Sequence, residues 1–230
     1  MLCVNEWFCD VLSDAGASSV KLKVHRMGVN VGRIEYRERE QNRLDILSVC
    51  RLVEKKGISV ALKAVSLLVE DRPDICIRFR IVGDGPLRDM LKQQAHELGI
   101  AAYVEFLGAL PHAKVQNLLY GSNVFRLPSV TASNGDVEGV PVSLMEAMAS
   151  GAAVVSSRHS GIPELITHGV SGLLANEFDV QGFASALEEL HDKPDLTSSL
   201  ALQGRAKVET DFNAEKLRQS FLNYIGNCLI

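Results

Sequence analysis

From residue 44 onward the chain alternates between short apolar runs and stretches in which apolar residues recur every three or four positions. The runs at 45–50, 75–82, 103–107, 124–127 and 152–156 have the length and the β-branched or aromatic content of strands. Between them, residues 57–69, 86–98, 111–120 and a stretch entered at Pro141 carry apolar side chains at helical spacing. Helical patterns at 180–191, 196–208 and 213–225 close the chain. Strands that take turns with helices predict an α/β fold, a Rossmann-like parallel sheet of about six strands with helices on both faces. Further upstream, Trp7, Phe8, Val11 and Leu12 share one face of a predicted helix over 5–12. Residues 20–25 alternate like a strand, and the charged stretch 35–42 reads as a linker.

Composition supports a sizeable core, with 47% hydrophobic and 23% charged residues. At 230 residues the chain has room for one large domain or one and a half ordinary ones. A formal net charge of −4 gives no electrostatic reason to expect nucleic acid. No polybasic block stands out, although local basic clusters leave contact with anionic lipid open. Cys3, Cys9, Cys50, Cys76 and Cys228 form no Cys-x-x-Cys pair, which argues against metal or disulfide chemistry and for a reducing compartment. Cys50 and Cys76 read as buried strand residues. No apolar run reaches membrane-spanning length, the stretch 58–69 being broken by Lys63, and no signal peptide is recognisable. The expectation is a cytoplasmic protein.

Ligands of parallel α/β sheets bind beyond the carboxyl ends of the strands, so the loops after residues 50, 82, 107 and 128 are the candidate site. In the last of them Glu138 and Glu146 flank Gly139, Val140, Pro141, Val142, Ser143, Leu144 and Met145. Pro141 suits the first position of a helix, which would leave the amides of Val142, Ser143 and Leu144 free to hold a phosphate. Two carboxylates beside a phosphate should face hydroxyls, and an anion between polyols describes a nucleotide-sugar. Ser143 and Glu146 also fit a capping box, in which Glu146 would only close its own helix end. Arg51 and Lys56 lie in the first strand-to-helix loop, where a guanidinium and an ammonium suit phosphate oxygens. Gly83-Asp-Gly85 is a fragment of a dinucleotide fingerprint without its third glycine or a ribose-binding acid, so NAD is rejected. Its glycines are expected to let that loop turn tightly, as Gly139 and Gly151 are expected to allow close approach and helix termination. His112, His159 and His168 read as solvent-exposed loop residues.

Glu138 and Glu146, with seven residues between them, resemble the Glu-x7-Glu signature of retaining GT-B-type group 1 glycosyltransferases. The blocks Val49-Cys-Arg-Leu-Val-Glu-Lys-Lys-Gly57, Ile81-Val-Gly-Asp-Gly-Pro-Leu-Arg88, Val104-Glu-Phe-Leu-Gly108 and Ser160-Gly-Ile-Pro-Glu164 fit that family in the same order. Cys50 stands where the family usually has glycine. The segment around residues 23–30 looks most similar to enzymes that build colanic acid and related exopolysaccharides. The resemblance implies that residues 44–230 are the nucleotide-sugar-binding half of a GT-B fold and 31–43 the linker. It makes 1–30 the last helix and strand of an N-terminal acceptor domain whose remainder this sequence lacks. Residues 1–30 are then expected to pack poorly on the rest or against another chain.

As what the resemblance implies, Arg51 and Lys56 neutralise the diphosphate, Glu138 binds the donor sugar and Glu146 the ribose. The stretch from Val104 through Phe106 to Gly108 lines the base pocket through backbone groups, and Gly83 lets its loop turn under the ligand. The expected reaction is retaining transfer of a sugar from a UDP- or GDP-sugar to a glycan or lipid-linked acceptor in polysaccharide biosynthesis, with no cofactor and no metal. The partners expected are that donor and acceptor, and a separate N-terminal domain or a second copy through residues 1–30. The enzyme would be free in the cytoplasm or peripheral to the inner face of the membrane. The alternative is a catalytically incomplete nucleotide-sugar-binding module that needs a separate N-terminal domain.

Overall fold

The computed structural model describes residues 1–40 and 43–228, with side chains to Gly226; Gln41 and Asn42 of the expected linker lie outside them. The chain opens with a small unit in which strand β1 (Leu2–Cys3) leads into helix α1 (Glu6–Asp14) and returns to strand β2 (Lys23–Val24), parallel to β1. Only the helix and a longer strand were expected here, because two-residue strands are too short to show a period of two.

The main sheet contains β3 (Leu44–Val49), β4 (Ile77–Val82), β5 (Val104–Gly108), β6 (Val124–Leu127), β7 (Ala153–Ser157) and β8 (Leu173–Ala175), all parallel. Their spatial order is β5-β4-β3-β6-β7-β8, the doubly wound arrangement. Helices α2 (Ile58–Asp71), α3 (Arg88–Glu97), α4 (His112–Tyr120), α5 (Val142–Ser150) and the short α6 (Ile162–Leu165) connect the strands. Helices α7 (Val180–Asp192), α8 (Pro194–Asp211) and α9 (Ala214–Cys228) follow.

Two apolar layers sandwich the sheet, as its hydrophobic runs require. Ile46, Phe79 and Ile81 pack with Val65 of α2, Leu91 of α3 and Phe183 and Leu187 of α7. Leu47, Phe125 and Leu127 face the other way, onto Leu119 of α4, Leu144 and Met148 of α5 and Val208 of α8.

One side chain breaks this pattern. Arg126, on the central strand β6, is 0% exposed. Its guanidinium donates to the Ala61 carbonyl at 3.0 Å and lies 4.9 Å over the Phe183 ring, while Nε and Nη2 find no partner among the described residues. Burial alone pushes its pKa down to about 9, so it remains a cation at neutral pH. Buried donors without acceptors are costly. Arg126→Met, which keeps most of the volume, is expected to raise stability by on the order of 1 kcal/mol, read as a higher urea midpoint. A lower midpoint would show that the guanidinium is a net stabiliser.

Of the first 30 residues Val29 joins the α5-side core, and the rest are anchored chiefly by polar and ring contacts. Nothing in α1 is fully buried, and the rings of Trp7 and Phe8 lie 5.0 Å apart, edge to face. Glu164 of α6 accepts the amides of Glu6 (2.8 Å) and Trp7 (3.3 Å) and pairs with Arg26 at 2.9 Å. Its carboxylate thus holds the N-terminal end of α1, where negative charge is favourable. From the other side, α9 brings Phe221 to 4.9 Å from the His25 ring and Tyr224 under the Lys23 ammonium. Val29 exchanges backbone hydrogen bonds with Phe212 and Ala214 at 2.9 Å each.

Candidate functional site

In this strand order the direction of winding reverses between β3 and β6, and the crevice outside their carboxyl ends is where such sheets take ligands. The loops that meet there are 50–57, after β3, and 128–141, after β6. They are fastened along their length. The Val130 amide donates to the Lys55 carbonyl at 2.9 Å, Ser133 bonds Glu54 through its amide (2.9 Å) and hydroxyl (2.7 Å), and Lys55 pairs with Asp136 at 3.0 Å. Gly57 has φ +63°, and a Cβ there would lie 1.8 Å from the Pro128 carbonyl oxygen, so only glycine permits this approach.

At the crevice, Lys56 and Glu138 are in direct contact, their side chains 15% and 14% exposed. Arg51 stands on the same loop, exposed, its side chain making no hydrogen bond or ion pair to a described residue. It is flanked by the loop after β4: Leu52 donates to the Asp84 carbonyl at 2.9 Å, and Gly83, at φ +130°, lies against Cys50. The turn expected of Gly83 and Gly85 is thus a clasp between two loops. Arg51 supplies a free cation, and Lys56 one shared with a carboxylate.

Burial pushes the Cys50 thiol up to about 12, although the Lys56 ammonium pulls the other way. It is a thiol at neutral pH. By exposure Cys50 is only half-buried and Cys76 is exposed, and both lie just outside their strands rather than being the buried strand residues expected. Native Cys50 is therefore expected to react with iodoacetamide more slowly than native Cys76, followed by mass spectrometry. Labelling of native Cys50 as fast as of Cys76 would contradict this difference.

Helix α5 begins one residue later than the sequence suggested. Pro141 is extended (φ −64°, ψ 125°) and caps the helix, which starts at Val142. The Leu144 amide turns back to the Pro141 carbonyl at 3.1 Å, which leaves Val142 and Ser143 with the free amides. Ser143 lies inside the helix, so the capping-box alternative for Glu146 is removed. Glu146, one turn further along, lies 3.1 Å from His112 Nε2, whose N–H it accepts when the imidazole carries its proton there. His112 is exposed, as expected, but engages this carboxylate.

The histidine that departs most from expectation is His159, which is 1% exposed rather than a solvated loop residue. Its Nδ1 lies 2.6 Å from Glu177 Oε1, and its Nε2 accepts the Glu138 amide proton at 2.9 Å. Burial would push the Glu177 carboxyl up, but hydrogen bonds from His159 and from the amide and hydroxyl of Thr131 hold it below the usual carboxylate range.

Not every expected residue reaches the crevice. Val104 opens β5 and is buried in the α2-side core, at the far end of the strand from the ligand edge. Phe106 packs against the same core. Gly108, rather than these side chains, is at the edge, where its carbonyl accepts the Gly83 amide at 2.8 Å. Gly139 and Val140 lie in the crevice loop. A Cβ at Gly139 would meet only Phe8 of α1, at an ordinary 3.9 Å, so no close approach requires glycine there. Gly151 ends α5 at φ +92°, as expected.

Comparison with known proteins adds the family. Residues 33–207 match the family described as glycosyl transferases group 1. The amylovoran biosynthesis glycosyltransferase AmsK of Erwinia amylovora is 42% identical over 200 residues, 86% of this chain and 49% of AmsK. The putative colanic acid biosynthesis glycosyltransferase WcaL of Salmonella typhimurium is 37% identical over 228 residues, 98% of this chain and 56% of WcaL. Among solved structures, Anabaena HepE in complex with UDP superposes with a TM-score of 0.85 at 21% identity, covering 98% of this chain and 63% of that one. The C-terminal domain of LpcC from Francisella tularensis gives 0.67 at 21% identity, over 80% of this chain and 98% of that one. The chain spans about half the length of the curated relatives it matches.

Proposed function

The chain belongs to the group 1 glycosyltransferases, and from that premise we propose that its main sheet binds a nucleoside-diphosphate sugar as donor for polysaccharide assembly. The observation that carries this reading is the contact of Lys56 with Glu138 at the switch point of the sheet, between the β3 loop that also bears Arg51 and the β6 loop that runs into the free amides of α5. Arg51, Lys56 and the amides of Val142 and Ser143 take the pyrophosphate. Binding parts Lys56 from Glu138, the ammonium turning to phosphate oxygens and the carboxylate to sugar hydroxyls. Glu146 takes the ribose hydroxyls, and backbone groups around Gly83 and Gly108 line the base site.

The chemistry is sugar transfer with retention, the acceptor hydroxyl attacking from the face the diphosphate leaves. Negative charge grows on the departing diphosphate, and fixed positive groups aimed at it lower the barrier. That role falls to the two cations and the helix tip rather than to a metal ion. The acceptor is a glycan or lipid-linked glycan, a reading supported by the names of AmsK and WcaL. Transfer itself draws on an acceptor-binding domain of which residues 1–30 would be the last elements. The enzyme works in the cytoplasm or at the inner membrane face. Among the described residues, no helix is long and apolar enough to cross a membrane.

Calorimetric titration with UDP, GDP, UDP-glucose and GDP-mannose, followed by an assay for released nucleoside diphosphate, tests the proposal. One base series is expected to bind, and its diphosphate to bind at least about tenfold more tightly than its monophosphate. Binding without turnover supports the narrower reading, a donor-binding module. Binding of none of the four would overturn both.

A further inference from the structure

Glu138 sits on a long loop, yet a residue that contacts a reacting sugar has to be held to within a fraction of an ångström. The side chains that hold it come from two other loops. His159 follows β7, and Glu177 follows β8. The Glu138 amide is a donor, so the Nε2 it meets at 2.9 Å must be the bare nitrogen of a neutral imidazole, and the proton resides on Nδ1, 2.6 Å from Glu177. Glu177 uses its other oxygen, Oε2, on the Thr131 amide at 2.7 Å, and Oε1 also lies 3.4 Å from the Thr131 hydroxyl. One carboxylate therefore fixes the start of the 131–138 segment directly and its end through the histidine.

The clamp is built into strained and closed surroundings. Ser160, next to the imidazole, has φ +45°, a left-handed conformation uncommon for serine. His159 is all but sealed from solvent, so water cannot replace the hydrogen bonds it makes.

We propose that His159 and Glu177 are a positioning pair that fixes the backbone at Glu138, and so governs how tightly the donor's sugar, as distinct from its nucleotide, is held. The proposal rests on the reading of Glu138 as the sugar-binding acid. His159 touches no substrate; it acts through the Glu138 main chain. The pair makes no bond to Arg51, to Lys56 or to the Val142 and Ser143 amides, and in the donor complex Lys56 has turned from Glu138 to phosphate, so nucleotide affinity should be indifferent to it.

The test compares wild type, His159→Leu, His159→Gln and Glu177→Ala. Two quantities are read: hydrogen exchange at the Glu138 amide, and the affinity of UDP-glucose or GDP-mannose relative to the matching diphosphate. In His159→Leu, amide exchange should speed up and the sugar-dependent gain in affinity should fall by about tenfold, with diphosphate affinity unchanged. His159→Gln, whose amide oxygen can still accept the Glu138 proton, should recover most of the gain. If the leucine variant does not fold, Glu177→Ala decides: it removes both acceptor oxygens, frees the Thr131 amide and leaves the His159 ring unheld, so exchange at the Thr131 and Glu138 amides should speed up and the same ratio fall. A ratio that stays at the wild-type value, or diphosphate affinity that falls in step with donor affinity, would overturn the positioning role and leave the donor site standing. A wild-type chain that binds neither diphosphate nor donor would overturn the site assignment and this pair with it.

Discussion

Replacing Gly83 by alanine is expected to cost about 2–6 kcal/mol of folding stability, the sum of a strained dihedral and an overpacked contact. Gly83 has φ +130°, a conformation that L side chains rarely adopt, and a Cβ there would lie 1.8 Å from the Cys50 carbonyl oxygen. That oxygen is main chain and has no rotamer through which to withdraw. The neighbouring contacts leave little room for adjustment: Cys50 donates to the Val82 carbonyl at 3.0 Å, and a Cβ at Gly85 would meet the Leu52 carbonyl oxygen at 2.4 Å. Arg51 stands between the two residues that would have to move, so donor binding should suffer along with stability. Gly99→Ala is the control. Gly99 also has a positive φ, +70°, but a Cβ there meets nothing within 4 Å. It should lose only the conformational part, about 1 kcal/mol. Equal urea midpoints for the two variants would show that the loop clasp is not tight.

Arg51→Ala is expected to weaken nucleoside-diphosphate binding by about 1.5–3 kcal/mol while leaving stability nearly untouched. The separation follows from its surroundings, since the side chain is exposed and bonded to no described residue. Lys56→Ala should weaken binding over the same range of about 1.5–3 kcal/mol but should also lower stability. It leaves the Glu138 carboxylate, 14% exposed, without its cation. Adding Glu138→Ala to Lys56→Ala should then restore part of the stability but none of the phosphate affinity. Unchanged diphosphate affinity in both single variants would remove the phosphate assignment.

The elements that the sequence disclosed are those whose burial follows from their own pattern. Strands β3 to β7 are apolar runs, and the amphipathic helices between them bury the faces that their spacing predicts. Strand β8 was not visible because it has only three residues, Leu173–Ala175, and follows Gly172 in a stretch that also reads as a loop. The crevice was legible for the same reason as the fold: Arg51, Lys56 and Glu138 lie in loops that a parallel sheet must gather at one edge. The contact of Lys56 with Glu138 was not legible, being a fact of strand order, and strand order is set by how helices cover the sheet. Val104 was misplaced because a motif names residues without saying which end of a strand they occupy. His159 was missed for a sharper reason. A histidine between Arg158 and Ser160 looks solvated, and only the folding of β8 beside β7 brings Glu177 to its ring. Arg126 was in reach of inference, since a central strand buries both faces, but a sequence gives no sign that two of its nitrogens go without acceptors.

The central claim is that pyrophosphate is gripped where the β3 and β6 loops meet the tip of α5. It is tested most directly by following the backbone amides by NMR as UDP or GDP is added. The amides of Val142 and Ser143 should shift in step with those around Arg51 and Lys56, and the shifts should vanish in Arg51→Ala at the same nucleotide concentration. Shifts gathered instead at the opposite edge of the sheet, around Arg39 and Asn123, with the α5 amides unmoved, would contradict it.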